Sequence, residues 1–213
     1  LIEGFHNFKQ TYFLKERQYF ESLEKAQNPK TLVVACCDSR VDPAILLHCK
    51  PGDLFVIRNV AALVPAVTQA SNPCSVMSAI EYGVKHLNVE HIVVMGHSHC
   101  GGIHGLMAPE SIAGETYIQD WVGIASPALE RLQAMTGDED EKTRSRHCEE
   151  GAVLISLDNL LSYPWIAERV KNGQLKLHAL YYDLSEGNLY RFSPESEDFE
   201  LLFHSEKIDV CDR

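Results

Sequence analysis

Two short runs along the chain are apolar and β-branched with no polar face: residues 31–35 (TLVVA) and 91–95 (HIVVM). Runs of that length and kind predict strands buried on both sides of a parallel sheet. Residues 54–57 (LFVI) and 175–183 add two more strands, and 189–192 predicts an antiparallel edge strand after the turn at Glu186-Gly187-Asn188. Between these runs the spacing turns helical. Phe5, Phe8, Tyr12, Tyr19, Phe20 and Leu23 recur at helix-like intervals over residues 3–26. That stretch predicts one or two amphipathic helices that pack on the domain or reach a partner subunit. Asn28-Pro29 ends them.

Asp42 and Pro43 predict a short helix, with Asp42 as cap and Pro43 in the first turn. Residues 61–72 carry little pattern. Residues 73–87 form a strong helix with Val76, Ile80, Val84 and Leu87 on one face, and Gly101-Gly102 turns the backbone tightly into a helix through His104 and Leu106. Residues 108–116 read as a surface loop, 117–135 as a helix broken near Pro127, and 137–146 (GDEDEKTRSR) as a solvated loop. Residues 148–161 are helical, and Tyr163-Pro164 starts a second short helix. The pattern predicts one α/β domain over 1–213: a central, mostly parallel sheet of four strands plus an antiparallel edge strand, flanked by helices. A helical arm occupies 1–27 and an acidic tail 194–213.

Composition narrows the function. With 45% apolar residues in 213, the chain can bury a substantial core. A formal charge of −11 argues against nucleic acid or an anionic membrane bound through a broad basic face. It leaves a small substrate open. No apolar run approaches membrane-spanning length and no signal peptide opens the chain. The expected location is the cytoplasm, or an organelle or microcompartment if a targeting segment precedes Leu1. Seven cysteines, an odd number at no framework-like spacing, predict free thiols in a reducing compartment.

The candidate chemistry follows the two buried runs. Cys36-Cys37-Asp38-Ser39-Arg40 ends the first, and His97-Ser98-His99-Cys100-Gly101-Gly102 ends the third strand. In open α/β sheets, ligands bind beyond the carboxyl ends of the strands. Alone, each cysteine reads as a buried apolar residue, and a lone histidine after a strand as a hydrogen-bonded core group. Together at two strand ends, Cys36, His97 and Cys100 make a zinc-ligand set that leaves a fourth position open. Arg40 can hold Asp38 by two parallel hydrogen bonds and keep it ionised beside that position; a plain turn-stabilising ion pair is the alternative. The backbone N–H groups after Gly101 favour an anion or a developing oxyanion. The pattern matches no phosphate-binding loop.

Cys-x-Asp-Ser-Arg followed by His-x-x-Cys-Gly-Gly resembles the β-class carbonic anhydrases. The resemblance continues through Arg58-Asn59, Ile80-Glu81-Tyr82, His147-Cys148-Glu149 and Tyr181-Tyr182-Asp183, over residues 5–193. It implies one zinc ion per subunit on Cys36, His97 and Cys100, and reversible hydration of carbon dioxide to bicarbonate and a proton by zinc-hydroxide attack. It also implies a homodimer or higher homo-oligomer, in which the N-terminal helices embrace the partner. Asp38 is implied to accept the hydroxide's hydrogen bond, with Arg40 fixing Asp38. The plant-type branch is the nearer match. It assigns Gln27, Phe55, Val60, Tyr82 and Gly101 to the substrate, and His86 to proton shuttling. Ala62 departs from that branch, which has an asparagine there, and residues 63–77 depart from its pattern. Some bacterial members hold bicarbonate away from zinc with a tryptophan at the position of Val33; no such site is expected here, although Arg58 and Tyr182 could fill its other roles. Two other readings keep the fold: a hydrolase of carbon disulfide or carbonyl sulfide, and a non-catalytic protein stapled by zinc. The Asp38–Arg40 pair and Gln27 argue against the second, since a staple needs neither.

Overall fold

The structure is a computed structural model that describes residues 1–70, 74–135, 137 and 140–202. In chain order its elements are α1 (Ile2–Phe8), a π-helical turn (Lys9–Phe13), α2 (Arg17–Lys25), β1 (Thr31–Cys36), α3 (Pro43–Leu46), β2 (Leu54–Asn59) and a 3₁₀ turn (Val60–Ala62). There follow α4 (Ser75–Lys85), β3 (His91–His97), α5 (Gly101–Met107), α6 (Thr116–Val122), α7 (Ser126–Ala134), α8 (Glu141–Leu161), α9 (Pro164–Lys171), β4 (Lys176–Asp183), β5 (Asn188–Ser193) and β6 (Asp198–Leu201). They build one six-stranded sheet in the order β2-β1-β3-β4-β5-β6. The first four strands of that order run parallel; β5 pairs antiparallel with β4, and β6 antiparallel with β5.

β1 and β3 lie side by side with Thr31 paired to His91. All of β1 is buried, and β3 is buried from Ile92 on. This is why neither run alternates in polarity: each has helix or loop on both faces. On one face Leu32, Val34, Ile92 and Val94 pack with Ile80 and Val84 of α4 and Ile166 of α9. On the other, Val33, Ala35, Val93 and Met95 pack with Leu180. α8 crosses β3 so closely that a Cβ on Gly96 would overlap Val153, which fixes glycine there. The parallel register brings the ends of β1 and β3, and the loops that follow them, next to each other.

The sheet has one strand more than the sequence pattern predicts. β5 is interior, and the edge is β6, which pairs Phe192 with Phe199. Part of the expected acidic tail is therefore strand; residues 203–213 lie outside the described residues. Four residues are too few to show a period, but Phe199 packs its ring on Phe192 and Tyr181 at 5.5 and 6.2 Å between centroids. The solvated loop expected over 137–146 is also corrected. α8 starts at Glu141 because the Asp140 carboxylate accepts the Thr143 N–H at 2.7 Å, an N-cap hidden inside a charged run. The helix over 117–135 is broken near Pro127, as the pattern predicts. Pro127 sits in the first turn of α7, and the break is the 3₁₀ turn Gly123–Ala125. Pro73, the expected start of α4, lies outside the described residues. Cys36, Cys37, Cys74, Cys100 and Cys148 are free thiols, whereas Cys49 is disulfide-bonded, against the expectation of free thiols alone. Among the described residues, no helix is long and apolar enough to cross a membrane.

The N-terminal arm is held by aromatics. Phe8 meets Tyr12 and Phe20 edge-on, and the Tyr19 hydroxyl donates to the Pro51 carbonyl at 2.7 Å. Leu1, Ile2 and Phe5 stay exposed.

At the opposite end of the sheet from the two motifs, the His91 and His178 rings share a 3.0 Å N···N hydrogen bond. Burial, helped by the nearby His91, pushes His178 down to about 4. The folded state thus favours neutral His178 more than the unfolded chain does. Its contribution is intact above the unfolded value near 6.5 and is lost as pH falls towards 4, up to about 3 kcal/mol. Thermal melts should show a smaller stability loss between pH 7 and 5 in His178→Asn than in the parent; equal losses would contradict this.

Candidate metal centre

Three elements converge on one point. Cys36 is the last residue of β1, His97 the last of β3, and Cys100 caps α5. The ligand atoms of the three lie within 4.8 Å of one another, and all three residues are buried. His97 Nδ1 donates to the Ser98 carbonyl at 2.9 Å, so Nε2 carries the lone pair. Among the described residues, Nε2 is the single buried side-chain nitrogen or oxygen without a hydrogen-bond partner. An orphan of this kind costs about 1–3 kcal/mol and demands an explanation. A soft-to-borderline cation on Nε2 and the two sulfurs supplies it, and a ring nitrogen fixed through its other N–H is the usual arrangement of a ligating histidine.

The electrostatics agree. The two sulfurs compete for one negative charge: the Cys100 thiol beside Cys36 pulls Cys36 down against its burial, with help from His97 and the N–H groups of Asp38 and Ala61. Cys36 and then burial push Cys100 up. Burial favours a neutral His97, but the Cys36 sulfur and the Ser98 carbonyl outweigh it and raise the ring. A divalent cation is what lets both thiolates and a neutral imidazole coexist.

Asp38 stands at the rim, with Oδ2 3.9 Å from His97 Nε2. Arg40 grips it with a fork, Nε to Oδ1 at 2.9 Å and Nη2 to Oδ2 at 2.7 Å, and its backbone N–H adds a third bond. This holds the Asp38 carboxyl well below the usual carboxylate range. Arg40 Nη2 also donates to the His99 carbonyl at 3.0 Å, tying the two motif loops together. His99 reaches it from a left-handed backbone, φ 56°.

Three supports received no such role from the sequence, although Arg58 and Glu149 stand in motifs quoted above. Arg58 donates to the carbonyls of Cys36, Asp38 and Val41 and to the Asp42 carboxylate, so its guanidinium braces the first loop. Glu149, buried on α8, accepts the Cys100 N–H at 3.0 Å and the Tyr181 hydroxyl at 2.7 Å; burial raises its carboxyl against both bonds. A charged residue next to the apolar run GAVLIS was the available signal. The third is the turn Val60–Ala62, where Ala61 and Ala62 take φ of 63° and 55°. Such a backbone costs a non-glycine residue roughly 1–2 kcal/mol. The Ala61 N–H points at Cys36 Sγ, 3.3 Å away, and the Asp38 N–H does so at 3.4 Å.

Of the other candidates, Val60 packs against the core cluster that holds Cys36 and Cys100, and Gly101 directly follows Cys100. Phe55 and Tyr82 pack at 6.1 Å, and the Tyr82 and His86 rings stack at 5.1 Å, a ladder from β2 along α4. Val60 is half-buried in the strained turn, Gly101 opens α5 exposed, and Gln27 is exposed between α2 and β1. A cavity of 580 Å³ opens beside Cys100, walled by Ser98, His99, Gly101, Glu149 and Tyr181. Neither Asp38 nor Arg40 lines it, so it is not where the rim chemistry faces.

The family model described as carbonic anhydrase matches residues 31–189. Beta carbonic anhydrase 5, chloroplastic, of Arabidopsis thaliana is 41% identical over 182 residues, which is 85% of this chain. The chain spans 60% of that relative's length. The solved structure of the beta-carbonic anhydrase CcaA superposes with a TM-score of 0.90 at 32% identity, covering 94% of this chain and 97% of that one. A structure of the tetrameric beta-carbonic anhydrases of Sordaria macrospora gives 0.77 at 29% identity, covering 90% and 94%.

Proposed function

The chain belongs to the carbonic anhydrase family, and we propose that it catalyses the reversible hydration of carbon dioxide to bicarbonate and a proton, with one zinc ion held by Cys36, His97 and Cys100. The observation that carries this reading is the buried, unpartnered His97 Nε2 grouped with two thiols beside an Arg40-clamped Asp38. Zinc bound there supplies a Lewis acid that lowers the pKa of water towards neutrality.

The chain's own residues do the rest. Asp38 Oδ2 accepts the hydrogen of the attacking oxygen and so aims its lone pair at the carbon. Arg40, by filling both carboxylate oxygens, keeps Asp38 an acceptor and never a donor. Phe55, Val60 and Tyr82, partly supplied across the dimer interface, form the apolar wall that holds carbon dioxide and excludes water. The Gly101 N–H and Gln27 meet the oxygens of bicarbonate. His86, stacked on Tyr82, carries the proton to solvent. The exposed apolar residues of the arm and the tetrameric relative support a homodimer or higher homo-oligomer. Stopped-flow assays on the zinc-loaded protein test the substrate. Hydration of carbon dioxide far above the buffer rate is expected. Turnover of carbon disulfide or carbonyl sulfide with no such hydration would overturn the assignment.

A further inference from the structure

We infer that Trp121 is a positioning residue for the metal centre: its indole N–H holds the left-handed turn Val60–Ala62 against the Cys36 sulfur. The inference rests on the reading of Cys36 as a metal ligand. Two consecutive alanines in the left-handed region do not stay there by preference. Something must pin each side of the turn. On the strand side, Asn59 does so, with Nδ2 donating to the Leu63 carbonyl at 2.9 Å and Oδ1 accepting the Leu63 N–H at 2.8 Å. Facing it, Trp121 Nε1 donates to the Val60 carbonyl at 2.8 Å, across 61 residues of sequence. Half-buried on α6, the Trp121 ring packs with both core clusters that flank the turn. Beneath the turn, a Cβ on Gly102 would stand 2.6 Å from Val60 and 3.1 Å from Ala61. Its absence lets α5 close on the turn and leaves Val60 little room to shift.

The clamp has two outputs. It aims the Ala61 N–H at Cys36 Sγ, and it sets where Val60 stands on the proposed apolar wall. Trp121 touches neither metal nor substrate in this scheme; it acts through Val60 and Ala61.

The test uses the full zinc-loaded chain without substrate, so it stands whether or not carbon dioxide is the substrate. Trp121→Phe keeps a ring and deletes the N–H. Hydrogen exchange across residues 59–64 should speed up several-fold, as loss of one hydrogen bond predicts. In cobalt-substituted protein the thiolate-to-metal absorption band should move to lower energy, because the sulfur loses an N–H donor. Ala62→Gly, which accepts φ 55° without strain, should restore protection in the Trp121→Phe background. A purely structural role would speed exchange in α6 and α7 and leave the band in place, and that result overturns the inference. A measurement on the unmutated protein guards against a variant that fails to fold. The Trp121 indole proton should exchange slowly and in step with the Ala61 amide; exchange at the rate of a free indole would overturn the inference.

Discussion

Cys100→Ala is expected to lose zinc and carbon dioxide hydration together. The Cys100 thiol is one of three donors within 4.8 Å of one another, and two donors cannot replace it. Outer-shell changes at metal sites already cost about 10–100-fold in affinity, and removal of a direct ligand should exceed that. The fold should survive. The substitution keeps the backbone N–H that donates to Glu149 and leaves Tyr181 bound to the other carboxylate oxygen. Circular dichroism close to the parent's, with zinc far below one per chain by atomic absorption, is the expected pair of results. One zinc per chain with undiminished turnover would remove Cys100 from the ligand set.

Asp38→Asn should be nearly as damaging to turnover while leaving zinc in place. Asparagine has the same shape, but its amide presents N–H groups where Arg40 already donates two. The fork cannot close on both atoms of an amide, and the acceptor beside His97 is lost or turned. Preorganised polar groups of this kind contribute about 10²–10³-fold, so kcat/KM should fall by roughly that factor at full zinc content. Arg40→Lys should fall less. It keeps the charge and loses the planar fork, and with it the tie to the His99 carbonyl. An Asp38→Asn protein with unchanged kcat/KM would reduce the Asp38–Arg40 pair to a turn-stabilising ion pair.

Much of this was legible in the sequence because the information is local. β1 and β3 are all-apolar runs that only a doubly covered strand tolerates, and the ligand motifs follow them directly. Once two such strands are neighbours, Cys36, His97 and Cys100 must meet. Asp38 and Arg40 are two residues apart, so their pairing needs no tertiary knowledge. What stayed hidden depends on partners far along the chain or on backbone angles without a marker residue. Glu149 reaches Cys100 across 49 residues, and Trp121 reaches Val60 across 61. Ala61 and Ala62 bend left-handed with no glycine to announce it. The start of α8 was obscured because a capping aspartate among acidic neighbours looks like a solvated loop. β6 was too short for its alternation to register.

The most direct measurement is metal removal and return on the purified protein. The chain stripped of metal by a chelator should hydrate carbon dioxide at the buffer rate, and zinc added back should restore hydration in proportion, saturating at one ion per chain. Full hydration by metal-free protein, or one zinc bound per chain with hydration still at the buffer rate, would contradict the account.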